Sequence, residues 1–206
     1  MFNRLFLEPL YNKKYPIELF DELKKRQDIT AKDLNFIREN DLELIARKTD
    51  FLGVNYYSRG VIRNEEISED KNLPRNVEMG PKTDFGWEVY PPGIYDLLIL
   101  LKKDYGVGTI FITENGCSYS DGPDKENKIN DQKRIDYHRT HLIEIQKAIN
   151  DGVDCKGYFA WSLMDNFEWA QGFSQRFGLI WVDFESLDRI PKESYHWYKN
   201  YILNNK

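Results

Sequence analysis

Ile110-Phe111-Ile112-Thr113-Glu114-Asn115-Gly116 decides how the rest of this 206-residue chain is read. Its first half is β-branched and aromatic, the makings of a buried strand, and Thr-Glu-Asn-Gly is the turn that leaves it. In a parallel α/β protein, ligands sit at that carboxyl end of a strand. A glutamate there is held by a rigid element yet faces an open, loop-lined pocket, a position that suits a nucleophile or a general base. The alternative for Glu114 is a turn cap or the partner of a nearby arginine.

Working outward, Phe51-Leu52-Gly53-Val54-Asn55-Tyr56-Tyr57 reads as a second strand ending in polar and aromatic groups, and Gly157 to Leu163 as a third. Between them lie two helical patterns. One opens at Pro91-Pro92 and closes at Gly106. The other is capped by Asp131, carries Ile135, His138, Leu142, Ile145 and Ile149 on one face, and ends before Gly152. Residues 192–203 form a closing helix. Upstream, Phe2 to Leu10 reads as the end of an amphipathic helix, residues 16–25 and 41–48 as short helices, and Thr30-Ala31-Lys32-Asp33 as a capping signature. Residues 58–91 form a long irregular stretch, and a turn-rich aromatic segment runs from Met164 to Asp183. Strand–helix alternation implies parallel strands with right-handed crossovers, hence an α/β fold. Three strands cannot close a barrel, and they leave two edges and one face uncovered, so the pattern points to part of a larger architecture.

Composition narrows the function. Hydrophobic content is 41% and charged content 31%, values of a globular chain, and the net charge of −5 argues against a nucleic-acid partner. Aromatics reach 15%, more than a core of this size needs, and flat rings with polar tips suit sugars. Cys117 and Cys155 have no metal or redox spacing and read as free thiols of a reducing compartment, which with the absence of a signal-peptide pattern gives a cytoplasmic expectation. No apolar run approaches the roughly 20 residues that span a bilayer. His138 and His141, three residues apart on one helix, have no apparent third ligand and read as structural rather than metal-binding. The three strand ends, Asn55-Tyr56-Tyr57, Thr113-Glu114-Asn115-Gly116 and Trp161 leading to Asn166-Phe167-Glu168-Trp169, together supply two carboxylates, phenols, amides and indoles. That inventory matches the needs of a pyranoside site.

These motifs, with Gly86-Trp87-Glu88-Val89-Tyr90-Pro91, Arg176-Phe177-Gly178-Leu179 and Pro191-Lys192-Glu193-Ser194, resemble glycoside hydrolase family 1, the β-glucosidase family, in the family's order. The resemblance covers nearly the whole chain and implies a (β/α)8 TIM barrel and a retaining mechanism without cofactor or metal. It implies Glu114 as nucleophile and Tyr57 as its hydrogen-bonding partner. Trp161 would stack under the sugar, Glu168 and Trp169 would bind its hydroxyls, with Asn55 as a further polar contact. Phe177 would lie near the sugar's outer edge and Trp87 at the entrance, while Tyr56 is read as core. Asn166-Phe167-Glu168-Trp169 favours unphosphorylated sugars.

One departure matters. The family's acid/base glutamate lies in an Asn-Glu-Pro segment, which this sequence lacks; its one Glu-Pro, Glu8-Pro9, resembles the stretch after the family's fifth strand. The resemblance therefore implies that residues 1–206 are the C-terminal part of the catalytic domain, strands six to eight of a partial barrel. The expected function is hydrolysis of terminal non-reducing β-D-glycosides (a β-glucoside or a small β-linked oligosaccharide), with activity when an N-terminal half-barrel chain completes the site. The alternatives are a non-catalytic carbohydrate-binding or assembly half-barrel, and an inactive truncated remnant.

Overall fold

A computed structural model describes residues 3–61 and 79–204. Helices α1 (Arg4–Tyr11), α2 (Ile17–Lys25) and α3 (Asp41–Ile45) precede strand β1 (Leu52–Asn55). Then follow α4 (Pro92–Tyr105), β2 (Ile110–Asn115), α5 (Gln132–Asn150), β3 (Cys155–Ala160), a hairpin of β4 (Ile180–Val182) and β5 (Arg189–Pro191), and α6 (Glu193–Asn204). Short 3₁₀ turns occupy Ala31–Leu34 and Trp169–Gln171. Of the long irregular stretch expected at 58–91, and of the helix end expected from Phe2, residues 62–78 and Phe2 lie outside the described residues.

The three long strands form one parallel sheet in the order β1-β2-β3, with Leu52 opposite Ile110 and Ile110 opposite Cys155. One face is covered by α4 and α5. Val54, Ile110 and Ile112 of the strands meet Ile94, Leu98, Leu101, Ile145 and Ala148 of the helices, and all are nearly inaccessible to water. The alternate positions face the other way and are exposed or half-exposed. Phe51 and Phe159 are 52% and 57% exposed, and the Phe51 ring meets Phe111 edge-on at 5.1 Å. Exposed aromatics along one sheet face are what a parallel strand set shows when only one of its two sides is packed.

Local sequence explains the boundaries. Helix α4 starts with proline in its first turn and stops where Gly106 takes a left-handed conformation (φ 60°); there the Val107 amide reaches back to the Leu101 carbonyl at 3.2 Å. The Thr30–Asp33 signature forms, the Asp33 carboxylate accepting the Thr30 amide and hydroxyl at 2.7 Å each. Three expectations need correction. The third strand is Cys155–Ala160, starting two residues before the stretch read and ending three residues before its end, because the chain leaves the sheet at Trp161. The segment read as turns contains β4, whose pairing with β5 was not foreseen; strands of three residues carry too little alternation to be recognised. Asp131 sits before α5 but does not cap it. Its carboxylate accepts from Arg134 Nε at 2.8 Å and from the Ser194 amide and hydroxyl at 2.8 and 2.6 Å, so it ties α5 to the start of α6. Cys117 and Cys155 are free thiols, and burial pushes Cys117 up to about 12. No described helix is long and apolar enough to cross a membrane.

Candidate active site

Strict alternation along β2 would put Glu114 under the helices with Ile110 and Ile112. The pairing shifts between Ile112 and Asn115, and the irregularity re-aims the strand end. Glu114 thereby stays half-buried at the mouth of a cleft while Asn115 is fully buried. The Tyr57 hydroxyl, just past β1, donates to Glu114 Oε2 at 2.6 Å. Burial, and after it that bond and the Glu114 charge, hold the phenol far above its ordinary pKa, so it remains a donor.

Trp161 follows β3. Its amide donates to the Asn115 carbonyl at 2.9 Å, and its own carbonyl passes so close to Gly116 that a Cβ there would lie 1.9 Å from the oxygen. The glycine of Thr-Glu-Asn-Gly is thus required by the neighbouring strand end. Beyond Trp161 the chain turns back on itself: the Ser162 amide donates to the Phe177 carbonyl at 3.1 Å, and the Leu179 amide to the Ser162 carbonyl at 2.9 Å. This fold-back sets Glu168 against the Trp161 side chain. Desolvation raises the Glu168 pKa; the bond from Trp161 lowers it in part, and the Glu114 charge adds to the rise. The Glu114 charge therefore reaches Glu168 across the cleft.

Tyr57, Phe85, Trp87, Glu114, Trp161, Glu168, Trp169, Ala170, Gln171 and Phe177 enclose a cleft of about 460 Å³. Its floor is an aromatic cluster: Tyr57 and Trp87 are 5.2 Å apart, Phe85 and Trp87 4.1 Å, and Phe177 meets Tyr57 edge-on at 6.1 Å. Phe177 is only 2% exposed and belongs to this floor, whereas Trp169 at the rim is 83% exposed. Seven of the eight residues singled out in the sequence come together here: Tyr57, Trp87, Glu114, Trp161, Glu168, Trp169 and Phe177. Asn55 does not line the cleft. It pairs with Glu114 in the strand register, and its Oδ1 accepts the Thr113 hydroxyl at 2.7 Å. Tyr56 is core, 8% exposed, with its hydroxyl on the Tyr90 carbonyl at 2.6 Å.

Sequence reasoning missed Phe85, Ala170 and Gln171 in the lining, and most of what holds the lining in place. Asp165 is buried and accepts from Arg176 at 2.9 Å, Lys192 at 3.1 Å and the Gly178 amide at 2.8 Å, which anchors both ends of the fold-back. Arg134, fully buried in α5, donates to the carbonyls of Cys117, Tyr119, Arg176 and Phe177. Glu88, beside Trp87, takes both arms of Arg59 at 2.7 and 3.0 Å, and the guanidinium lies 3.7 Å over the Tyr90 ring. An arginine on the apolar face of α5 was the one visible signal for this framework.

His138 and His141 are fully buried. His138 Nδ1 meets the Tyr158 hydroxyl at 2.7 Å and His141 Nδ1 the Tyr137 carbonyl at 2.7 Å. Burial drives their pKa values down to about 3 and about 4, so both are neutral.

A cleft with aromatic walls and two carboxylates, one held by a phenol, has the components to bind a sugar ring and attack it. The model of glycosyl hydrolase family 1 matches residues 1–206. Beta-glucosidase A of Acetivibrio thermocellus is 43% identical over 204 residues, covering 98% of this chain and 44% of that protein. The 1,4-beta-D-glucan glucohydrolase of Thermotoga neapolitana is 43% identical over 208 residues, with the same 98% and 44% coverage. Among solved structures, the Thermotoga maritima β-glucosidase in complex with glucoimidazole superposes with a TM-score of 0.84 at 40% identity, covering 98% of this chain and 44% of that one. The chain thus spans somewhat under half the length of these relatives, and over that span sequence and structure agree: it belongs to glycosyl hydrolase family 1.

Proposed function

We propose that this chain carries the nucleophile side of a retaining β-glycosidase of the β-glucosidase type, acting on terminal non-reducing β-D-glucosides. The observation that carries the reading is the 2.6 Å bond from Tyr57 to Glu114 Oε2 at the mouth of the aromatic cleft. It leaves Oε1 as the attacking oxygen. The relatives' names, a β-glucosidase and a β-D-glucan glucohydrolase, support the substrate class.

In this mechanism Glu114 attacks the anomeric carbon, a carbon–oxygen ester bond forms, and the bond to the leaving group breaks. A carboxylic acid protonates the departing oxygen. Its conjugate base then takes a proton from water, the water oxygen bonds to the anomeric carbon, and the ester opens to return the Glu114 carboxylate. Two inversions retain the configuration. Trp161 is the platform under the ring, Glu168 accepts its hydroxyl protons and Trp169 closes the rim. Trp87, with Phe85, lies on the leaving-group side. Two carboxylates facing one cleft disfavour a phosphorylated sugar. The acid/base carboxylate belongs to the Asn-Glu-Pro segment that these 206 residues do not contain. We assign it to an N-terminal half-barrel that completes the (β/α)8 barrel, of which this chain supplies strands six to eight.

The test is inactivation by 2,4-dinitrophenyl 2-deoxy-2-fluoro-β-D-glucoside, whose good leaving group needs little acid assistance. The chain is treated alone and after mixing with the N-terminal part of the Thermotoga maritima enzyme, and the labelled peptide is identified by mass spectrometry. Label on Glu114, absent in Glu114→Gln, is the expected result. A mixture that assembles and hydrolyses a chromogenic β-glucoside without labelling Glu114 overturns the assignment. Sugar binding with neither label nor turnover would leave a carbohydrate-binding half-barrel.

A further inference from the structure

We infer that Asn115 and Tyr137 are positioning residues for the Tyr57–Glu114 pair, an inference that rests on the catalytic reading of Glu114. The backbone ladder between β1 and β2 reaches its end with the Tyr56 amide on the Glu114 carbonyl at 2.9 Å. Beyond that point side chains take over. The Asn115 amide Nδ2 donates to the Tyr56 carbonyl at 2.7 Å, and the Tyr137 hydroxyl, from α5, donates to the Tyr57 carbonyl at 3.0 Å. The backbone from which the Tyr57 phenol reaches Glu114 is therefore held by these two side chains.

The proton directions in this network are determined by its members. Asn115 Nδ2 also donates to the Tyr137 oxygen at 3.1 Å, which leaves the Tyr137 proton free for the Tyr57 carbonyl. The Tyr158 hydroxyl donates to Asn115 Oδ1 at 2.6 Å, so its oxygen accepts from His138 Nδ1–H at 2.7 Å. The chain of donors thus runs one way, from His138 through Tyr158, Asn115 and Tyr137 to the Tyr57 carbonyl. Asn115 and His138 are fully buried, Tyr137 is 2% exposed, and the Tyr137 ring stacks on His141 at 4.0 Å. With no water to substitute for a lost partner, removing one donor releases the next group along. Asparagine is the side chain that can accept from one tyrosine while donating to a second tyrosine and a carbonyl; aspartate in that place would face the Tyr56 carbonyl with an oxygen.

The experiment is a double-mutant cycle on the rate of Glu114 labelling by the fluoroglucoside in the complemented assembly, using Tyr57→Phe, Tyr137→Phe and both together. Tyr137→Phe is expected to slow labelling by roughly tenfold to a hundredfold, the usual penalty for a reacting group displaced by a fraction of an ångström to an ångström. If Tyr137 acts through Tyr57, the double variant is no slower than Tyr57→Phe alone, whereas a merely structural role makes the two losses multiply. A readout independent of turnover is ¹⁹F NMR of the chain containing 3-fluorotyrosine, with the Tyr57 signal assigned by its loss in Tyr57→Phe. Asn115→Leu and Tyr137→Phe should each move that signal in the direction that Glu114→Gln moves it. Multiplying losses, or a Tyr57 signal unmoved by Tyr137→Phe, overturn the inference while leaving Glu114 as nucleophile. Failure of the catalytic reading is separate: it shows as activity intact in Glu114→Gln, or as sugar binding with neither label nor turnover, and the ¹⁹F readout depends on neither.

Discussion

Acidification from pH 7 to pH 5 should destabilise this chain through His138 and His141. Each imidazole uses its Nδ1–H internally, and each Nε2 is buried without a partner, so protonation would place an N–H where nothing accepts it. Burial is the largest cause of the lowered values; the charge of Arg134 adds to it at His138, and the bond to the Tyr137 carbonyl opposes it at His141. In the unfolded chain both rings titrate near 6.5. Folded, they titrate at about 3 and about 4. Between those limits the unfolded chain binds more protons than the folded one, so the unfolding free energy falls as pH falls, starting near 6.5 and ending near the folded values. From pH 7 to pH 5 the loss is about 2 kcal/mol per histidine, or about 4 kcal/mol for the pair. With a urea dependence of about 2 kcal/mol per molar, the midpoint should drop by about 2 M. Glu88, which Arg59 holds below the ordinary 4.5, loses its contribution only at lower pH, and Glu168, whose raised value works in the opposite sense, is unchanged in the histidine variants that isolate the imidazole contribution. The assay is urea unfolding by far-UV circular dichroism and tryptophan fluorescence at pH 7, 6 and 5. His141→Gln can still donate to the Tyr137 carbonyl but gains no charge, and should retain about half of the drop. Equal midpoints at pH 7 and 5, or an undiminished drop in a variant lacking both imidazoles, would refute the reasoning.

Three other outcomes follow from contacts already described. Asp165→Ala leaves the Lys192 ammonium and the Gly178 amide buried without their partner and should cost about 3–5 kcal/mol, read as a lower urea midpoint; a change under 1 kcal/mol would mean the ion cluster is dispensable. Gly116→Ala drives a Cβ into the Trp161 carbonyl, so near-ultraviolet circular dichroism and fluoroglucoside labelling should both be disrupted, and a wild-type labelling rate would show that the two strand ends separate freely. Trp161→Ala removes the indole beside Glu168 and, on the proposed role of Trp161 as sugar platform, should weaken binding of a glucose-mimicking inhibitor by on the order of tenfold or more in calorimetry of the complemented assembly; undiminished affinity would refute that role.

The alternation of strands and helices, the punctuation of α4 by Pro92 and Gly106, and the strand-end position of Glu114 were legible in the sequence because each depends on neighbours within a few residues. Seven of the eight residues that the family resemblance picked out line the cleft; Trp87 and Phe177 owed their selection to that resemblance alone, not to periodicity or strand-end position. Tertiary structure alone decided what those residues rest on. Asp131 reads as a cap for α5, yet its acceptors are used by Arg134 and by Ser194, 63 positions away. Phe177 has no local sign of burial, yet the fold-back from Trp161 makes it part of the cleft floor. Asn115 follows the glutamate in sequence and carries no visible sign that its amide joins β1, β3 and α5. Hydrophobic periodicity reports which side of an element is buried, whereas a buried hydrogen bond depends on where two distant backbones meet, and that distance is set by packing rather than by sequence spacing.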